Sequence, residues 1–178
     1  MYKYIFLIFT FAITFSNCTG RKTADIFTDK AVHVNLVHMD AGMDYHPEKE
    51  NSELQIFIGK PKEQFAPLYG NNSRIWINEK FYTANELPLQ CELYFLSTEK
   101  EKRKIVVFAD RETPMNFIKD ILVQFFKNGI SRIHIAISSK EDSKNDLAQV
   151  LMVIDGNVIE VADLDKTFED WLISNYES

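Results

Sequence analysis

The stretch from Arg103 to Ile137 constrains this chain most, because it spells out strand, helix cap, helix, glycine and strand in succession. Ile105, Val106, Val107, Phe108 and Ala109 form an unbroken apolar run bounded by charged residues, the pattern of a central strand covered on its faces. Asp110 ends it. Thr113-Pro114 then supplies a hydroxyl able to cap free amides and a ring preset for the first helical turn. Ile118, Ile121, Leu122, Phe125 and Phe126 recur at helical spacing and make one broad apolar face down to Lys127. Gly129 follows a basic last turn, where a left-handed stop is expected. Ile133, Ile135 and Ile137 alternate with His134 and Ala136, so the chain returns as a strand. Such a unit implies a crossover between parallel neighbours and an α/β class of fold.

Upstream, Val32–Met39 alternates as a first strand, and Leu54, Ile56 and Ile58 share one face of a second. Asp40–Ser52 between them reads as a long acidic loop. Gly59–Asn72, with two prolines and two glycines, reads as irregular with a helical turn near Glu63–Leu68. Arg74–Ile77, a turn at Asn78-Glu79-Lys80 and Phe81-Tyr82 form a hairpin. Thr83 and Glu86 have the spacing of a reciprocal helix cap. Pro88 sits close behind that cap and predicts a short or delayed helix within Leu87–Leu96. Beyond a charged loop at Ser139–Asp146, Gln149–Ile154 and Asn157–Val161 flank an Asp155-Gly156 turn, and a last helix begins after Thr167 with Phe168, Trp171, Leu172 and Tyr176 on one side. Together these predict a two-layer α/β (α+β) domain, a mixed sheet of about five strands with two main helices packed largely on one face.

Residues 1–17 have a different character. Lys3 precedes an apolar run from Tyr4 to Phe15, and Ser16-Asn17-Cys18 follows. This is the layout of a bacterial export signal ending at a cysteine that can be lipidated, so Cys18 is the expected lipid-attachment residue. Two alternatives are an uncleaved single-pass inner-membrane anchor, for which the seventeen residues from Tyr4 to Gly20 fall short of the roughly 20 a spanning helix needs, and cleavage without lipid. The lipidated and anchored readings both place the chain in the cell envelope, attached to a membrane and facing outside the cytoplasm.

Of the 178 residues, 17 precede Cys18, leaving 161, enough for one domain with a true core. The expected organisation is a signal over 1–17, a tether over 18–31 and a single domain over 32–178. Lys3 leaves with the signal, so 19 basic residues face 26 acidic ones, a formal charge of −7 that argues against binding nucleic acid or anionic lipid through bulk electrostatics. With Cys18 modified, Cys91 has no disulfide partner and reads as a small core hydrophobe between Leu89 and Leu93.

The segment IVVFADRETPMNFIKDILVQFFKNGISRIHIA, Ile105–Ala136, resembles the periplasmic domain of the ExbD/TolR family of biopolymer-transport proteins, with Ala109, Asp110 and Gly129 at the matching positions. Ile75-Trp76-Ile77-Asn78, Phe81 and Glu86-Leu87 resemble the hairpin leading into that family's first helix. The resemblance extends over Arg74–Ser138 and implies a two-layer fold that works through protein contacts. Family members also use a transmembrane aspartate in proton flow, whereas Tyr4–Phe15 contains no acidic residue. The implied role is therefore binding, assembly or load bearing on a tether; the alternative is an accessory subunit of a proton-driven transport complex.

Asp110 carries three readings, a cap for the connection into the helix, a contact for a partner and a catalytic carboxylate, the last without a nucleophile and base pair to support it. His33, His38, Asp40 and His46, with Asp44 and Glu48, are the residues whose chemistry suits a divalent metal, although their spacing matches no established ligand pattern. They are the sole support for a metal-binding or enzymatic module. Gly59, Gly70, Gly129 and Gly156 do not form a phosphate cradle, no nucleophile and base pair stands out, and no cofactor is expected. The expected partners are an envelope protein or a second copy of the chain.

Overall fold

Strand pairing in the computed structural model, which describes residues 29–39, 43–45, 53–99, 102–130, 132–139, 148–153 and 165–176, begins from the apolar run at 105–109. In chain order the strands are β1 (His38–Met39), β2 (Met43–Asp44), β3 (Glu53–Gly59), β4 (Arg74–Ile77), β5 (Lys80–Tyr82), β6 (Lys104–Ala109), β7 (Ile133–Ser139) and β8 (Ala148–Val153). The helices are α1 (Ala66–Tyr69), α2 (Leu87–Tyr94), α3 (Met115–Lys127) and α4 (Phe168–Tyr176). The sheet runs β2-β8-β7-β6-β3-β4-β5, with β1 pairing β7. β6 lies between two parallel neighbours, Ile56 opposite Val107 on one side and Val107 opposite Ile135 on the other. Every residue of β6 is buried, as a run without alternation requires.

The β6-α3-β7 unit is as its sequence implies, with one adjustment at the start. Pro114 is the cap residue and Met115 the first helical one, so Thr113 stands one position outside the helix and its hydroxyl makes no cap bond. At the other end Gly129 has φ 73°. Its N–H donates to the Phe126 carbonyl at 3.0 Å and the Ile130 N–H to the Phe125 carbonyl at 3.1 Å, which closes the helix in a Schellman arrangement. Met115, Ile118, Ile121, Leu122 and Phe125 are buried, while Phe126 is only partly covered.

Alternation along each strand divides the core in two. One sheet face presents Ile56, Ile58, Ile75, Val107, Ile133 and Ile135 to α2, α3 and α4, which contribute Leu87, Cys91, Ile118, Phe125, Phe168 and Trp171. The other face presents Phe57, Trp76, Val106, Phe108 and Ala136, and no helix of eight or more described residues packs there. Ala31, Val32, Leu36 and Tyr45 cover it instead.

That cover is where the structure departs most from expectation. Val32–Met39 is not a strand: only His38–Met39 pairs with the sheet, against Ser138 and Ser139, and Val32 makes a single bridge to Pro61. Before that pairing, residues 32–37 cross the carboxyl ends of β3, β6 and β7. The sheet has eight strands among the described residues, more than the five or so expected, with β1 and β2 contributing only two residues each. Domain packing also begins before residue 32, since Ala31 is 5 % exposed and Lys30 lies over the rings of Phe57 and Trp76.

Asn78 and Glu79 both take positive φ, 44° and 65°, the geometry that lets a two-residue hairpin turn match strand twist. Thr83 donates its N–H and hydroxyl to the Glu86 carboxylate, each at 2.7 Å, as the cap spacing implies. Pro88 does not break α2, because it falls in the first turn, where the missing N–H has no helical partner to lose. The final helix repeats the device: Thr167 Oγ1 donates to Asp170 at 2.7 Å and accepts from its N–H at 3.2 Å. Met115 and Phe168 exchange backbone bonds with Lys166 and Thr113, tying the starts of α3 and α4 together. The expected strand at Asn157–Val161 and its Asp155-Gly156 turn lie outside the described residues.

Candidate functional site

Among the described residues, three constructions bear most directly on function. The first is a cleft built by α1 and the β4-β5 hairpin. The irregular run after β3 ends in the single turn Ala66–Tyr69, which offers Phe65, Leu68 and Tyr69; the hairpin offers Trp76 and Phe81. Phe81 meets the Phe65 ring edge-on at 5.8 Å and lies 4.1 Å from the Tyr69 ring, while Trp76 packs edge-to-face against Phe57 at 5.9 Å. The cavity is about 560 Å³, within the size of small-ligand and peptide side-chain sites, and Asp29, Glu79 and Lys80 edge it. Leu68 is 80 % exposed at its mouth, the most exposed large hydrophobic residue described. β5 is the last strand of the sheet, so its outer edge beside the cleft pairs with no other described strand. An aromatic floor, mixed charge at the rim and a free strand edge suit an extended peptide carrying an apolar anchor.

The second construction is a buried pair at the start of the parallel strands. Lys104 Nζ lies 3.0 Å from Glu53 Oε2, with side chains 7 % and 3 % exposed. The register brings them together, since Glu53 faces Lys104 in the β3-β6 ladder. Tyr45 donates its hydroxyl to Glu53 Oε1 and accepts from Gln55 Nε2 at 2.8 Å; Tyr94 donates its hydroxyl to the Glu53 carbonyl at 2.9 Å. Every partner is supplied by the chain, and the pair is sealed under the Tyr45 ring, which meets Phe108 at 5.7 Å. Its chemistry is that of a pin joining the 43–45 segment to the sheet.

The third centres on Asp110. It is 8 % exposed: Oδ2 accepts from the Asn35 N–H at 2.9 Å and from Asn35 Nδ2 at 3.1 Å, and Oδ1 accepts from the Glu112 N–H at 3.0 Å. The segment that crosses this strand end brings Asn35 onto the Asp110 carboxylate, so these hydrogen bonds are all internal. The capping reading holds at the Glu112 amide.

The histidines expected to suit a metal are spread along that same segment. His33 and His38 are both exposed, and the His38 ring lies 2.5 Å from Ser138 Oγ. Asp44 pairs through its backbone with Gln149 in the β2-β8 ladder. Asp40, His46 and Glu48 lie outside the described residues, as does Cys18. Among the described residues no group of three His, Cys, Asp or Glu side chains is placed to hold a metal ion, and no helix is long and apolar enough to cross a membrane. Cys91 is a free, buried thiol whose pKa desolvation pushes up to about 12, in keeping with a core residue and not a nucleophile.

Sequence reasoning missed both the cleft and the Glu53–Lys104 pair. The density of aromatic residues between Phe57 and Tyr82 is the one linear signal for the cleft; the pair has none, since it depends on strand register. In comparisons with known protein families, curated proteins and solved structures, the chain matches none.

Proposed function

We propose that this chain is a non-enzymatic, membrane-tethered protein of the bacterial cell envelope whose α/β domain binds a protein partner through the aromatic cleft beside β5. The observation that carries the reading is the conjunction of that cleft with the free edge of β5. A partner segment laid along Lys80–Tyr82 makes main-chain hydrogen bonds to the strand and places an apolar side chain among Phe65, Tyr69, Trp76 and Phe81. The export-type layout of residues 1–17, the lipidation residue Cys18 and the resemblance of Arg74–Ser138 to the ExbD/TolR periplasmic domain support a tethered binding role. In this reading the tether fixes location and the cleft supplies the contact.

Photo-crosslinking in intact cells tests it. A photoreactive residue replacing Leu68 is expected to capture an envelope protein or a second copy of the chain, while the same group at exposed Asn128, beyond the end of α3, is expected to capture much less. Recovery of monomer alone from the Leu68 site counts against the reading. Intact mass of the membrane-extracted protein tests the tether separately: an acylated chain beginning at Cys18 supports it, and a chain retaining Met1 supports the single-pass anchor.

A further inference from the structure

Residues 29–36 are part of the domain, yet they are fastened to it by a short series of separate contacts. The Ala31 carbonyl accepts from the Lys62 N–H at 2.8 Å, and the His33 N–H donates to the Lys60 carbonyl at 2.8 Å. Asn35 is held by Asp110, and its carbonyl accepts from the Arg111 N–H at 2.9 Å. These attachments fall one after another on the ends of β3 and β6. Pulling from the Asp29 side therefore loads them in sequence, whereas the residues of β6 are laddered on both sides at once. From Val37 onward the chain enters the helix-side core, where Val37 and Met39 are fully buried, and the Ser138 N–H donates to the Val37 carbonyl at 2.9 Å. That is a fixed end.

What the segment covers is as informative as how it is held. Ala31, Val32 and Leu36 lie over Phe57, Val106 and Phe108, an apolar sheet face. Asp29 and Ala31 form one wall of the cleft, and Lys30 sits 5.1 Å from the centre of the Trp76 ring that lines it. The last residues of the expected tether, 29–31, are therefore residues that shape the cleft.

We infer that residues 29–36 are a releasable strap linking the tether to the cleft. Load on the tether lifts the strap as far as Val37, removes a cleft wall and uncovers the second sheet face, while the helix-side core stays folded. The Asn35–Asp110 clamp is its main stop, since a charged acceptor holding two donors is the strongest contact in the series. The inference rests on reading the cleft as the partner site and the N-terminal segment as a tether.

Amide hydrogen exchange on the full-length chain in lipid nanodiscs tests the device without needing the partner. The His33 and Asn35 amides are expected to exchange about tenfold or more faster than those of Val107 and Ile135 through a subglobal opening. Asp110→Ala is expected to speed the His33 and Lys62 amides by about tenfold or more, leaving Val107 and Ile135 unchanged. Asn35→Ala, which spares the Glu112 cap, is expected to move the same amides in the same direction by less. Equal exchange of strap and sheet amides in the unaltered chain overturns the inference, as does uniform acceleration of all of them by either substitution. If the strap opens separately but Leu68 crosslinks to nothing, the partner-site reading fails and the strap stands as a conformational element. If a partner is captured and the strap opens only with the sheet, the strap fails alone.

Discussion

Gly59→Ala is the most revealing single change, because it sets a backbone position against another backbone with no side chain available to yield. A Cβ built on Gly59 falls 1.9 Å from the His33 carbonyl oxygen and 3.0 Å from its carbonyl carbon. Carbon and oxygen in contact need about 3.3 Å, so the crossing segment must retreat by roughly 1.4 Å. The His33-to-Lys60 hydrogen bond, 2.8 Å long, does not survive that shift at ordinary geometry. Overpacking costs about 1–3 kcal/mol and the lost hydrogen bond about 1 kcal/mol, partly offset by about 0.4–1 kcal/mol from the stiffer unfolded chain. The net expectation is a destabilisation of about 1–3 kcal/mol. Urea denaturation followed by circular dichroism measures it, with a smaller m-value than the unaltered protein because the folded variant already exposes part of the second sheet face. Combined with Asp110→Ala the losses are expected to be less than additive, since both act on residues 29–36. A change of less than about 0.5 kcal/mol, or a stabilisation, refutes the close crossing and with it the strap.

Phe125→Ala removes a fully buried ring between α3 and the sheet and is expected to cost about 3–5 kcal/mol by thermal or denaturant unfolding; a surface-like loss below about 0.5 kcal/mol shows the helix face has been misassigned. Lys104→Met removes a buried ion pair with Glu53 and is expected to cost about 3–5 kcal/mol, part of which Glu53→Leu restores in the double variant; full additivity of the two losses argues against coupling. Cys91 holds its proton in the folded state up to about 12, against an ordinary value of 9.0. Above pH 9 the unfolded chain therefore loses a proton that the folded chain keeps, so this contribution to stability is complete below pH 9 and is lost as pH rises toward 12. Cys91→Ala is expected to flatten that alkaline slope. Native-state labelling of Cys91 by iodoacetamide at pH 8 should be slow and limited by opening; labelling as fast as in urea contradicts its burial.

The metal-suited residues show how far a linear pattern carries. His33 and His38 are near in sequence and share chemistry, but the segment between them is extended and fastened at Asn35 and Val37, so proximity along the chain does not become a binding geometry among the described residues. Asp110 was legible as a strand-end carboxylate with work to do. That the work is holding Asn35, 75 positions earlier, was not.

Local periodicity by itself determined the centre of this protein. Ile105–Ala109 without polar interruption demands cover on two faces, the Ile118–Phe125 stripe demands a sheet beneath it, and Gly129 ends α3 because only its backbone enters positive φ without strain. The turn at Asn78-Glu79 and the caps at Thr83 and Thr167 are likewise local, since their partners lie within three residues. Tertiary structure alone decided that Val32–Leu36 crosses strand ends, for alternation along a chain states which side is apolar and not what lies against it. It alone brought Glu53 to Lys104, and gathered Phe65, Trp76 and Phe81 from separate elements into one cleft. Those contacts follow from strand register and chain crossing, and both are fixed by the packing of the whole domain.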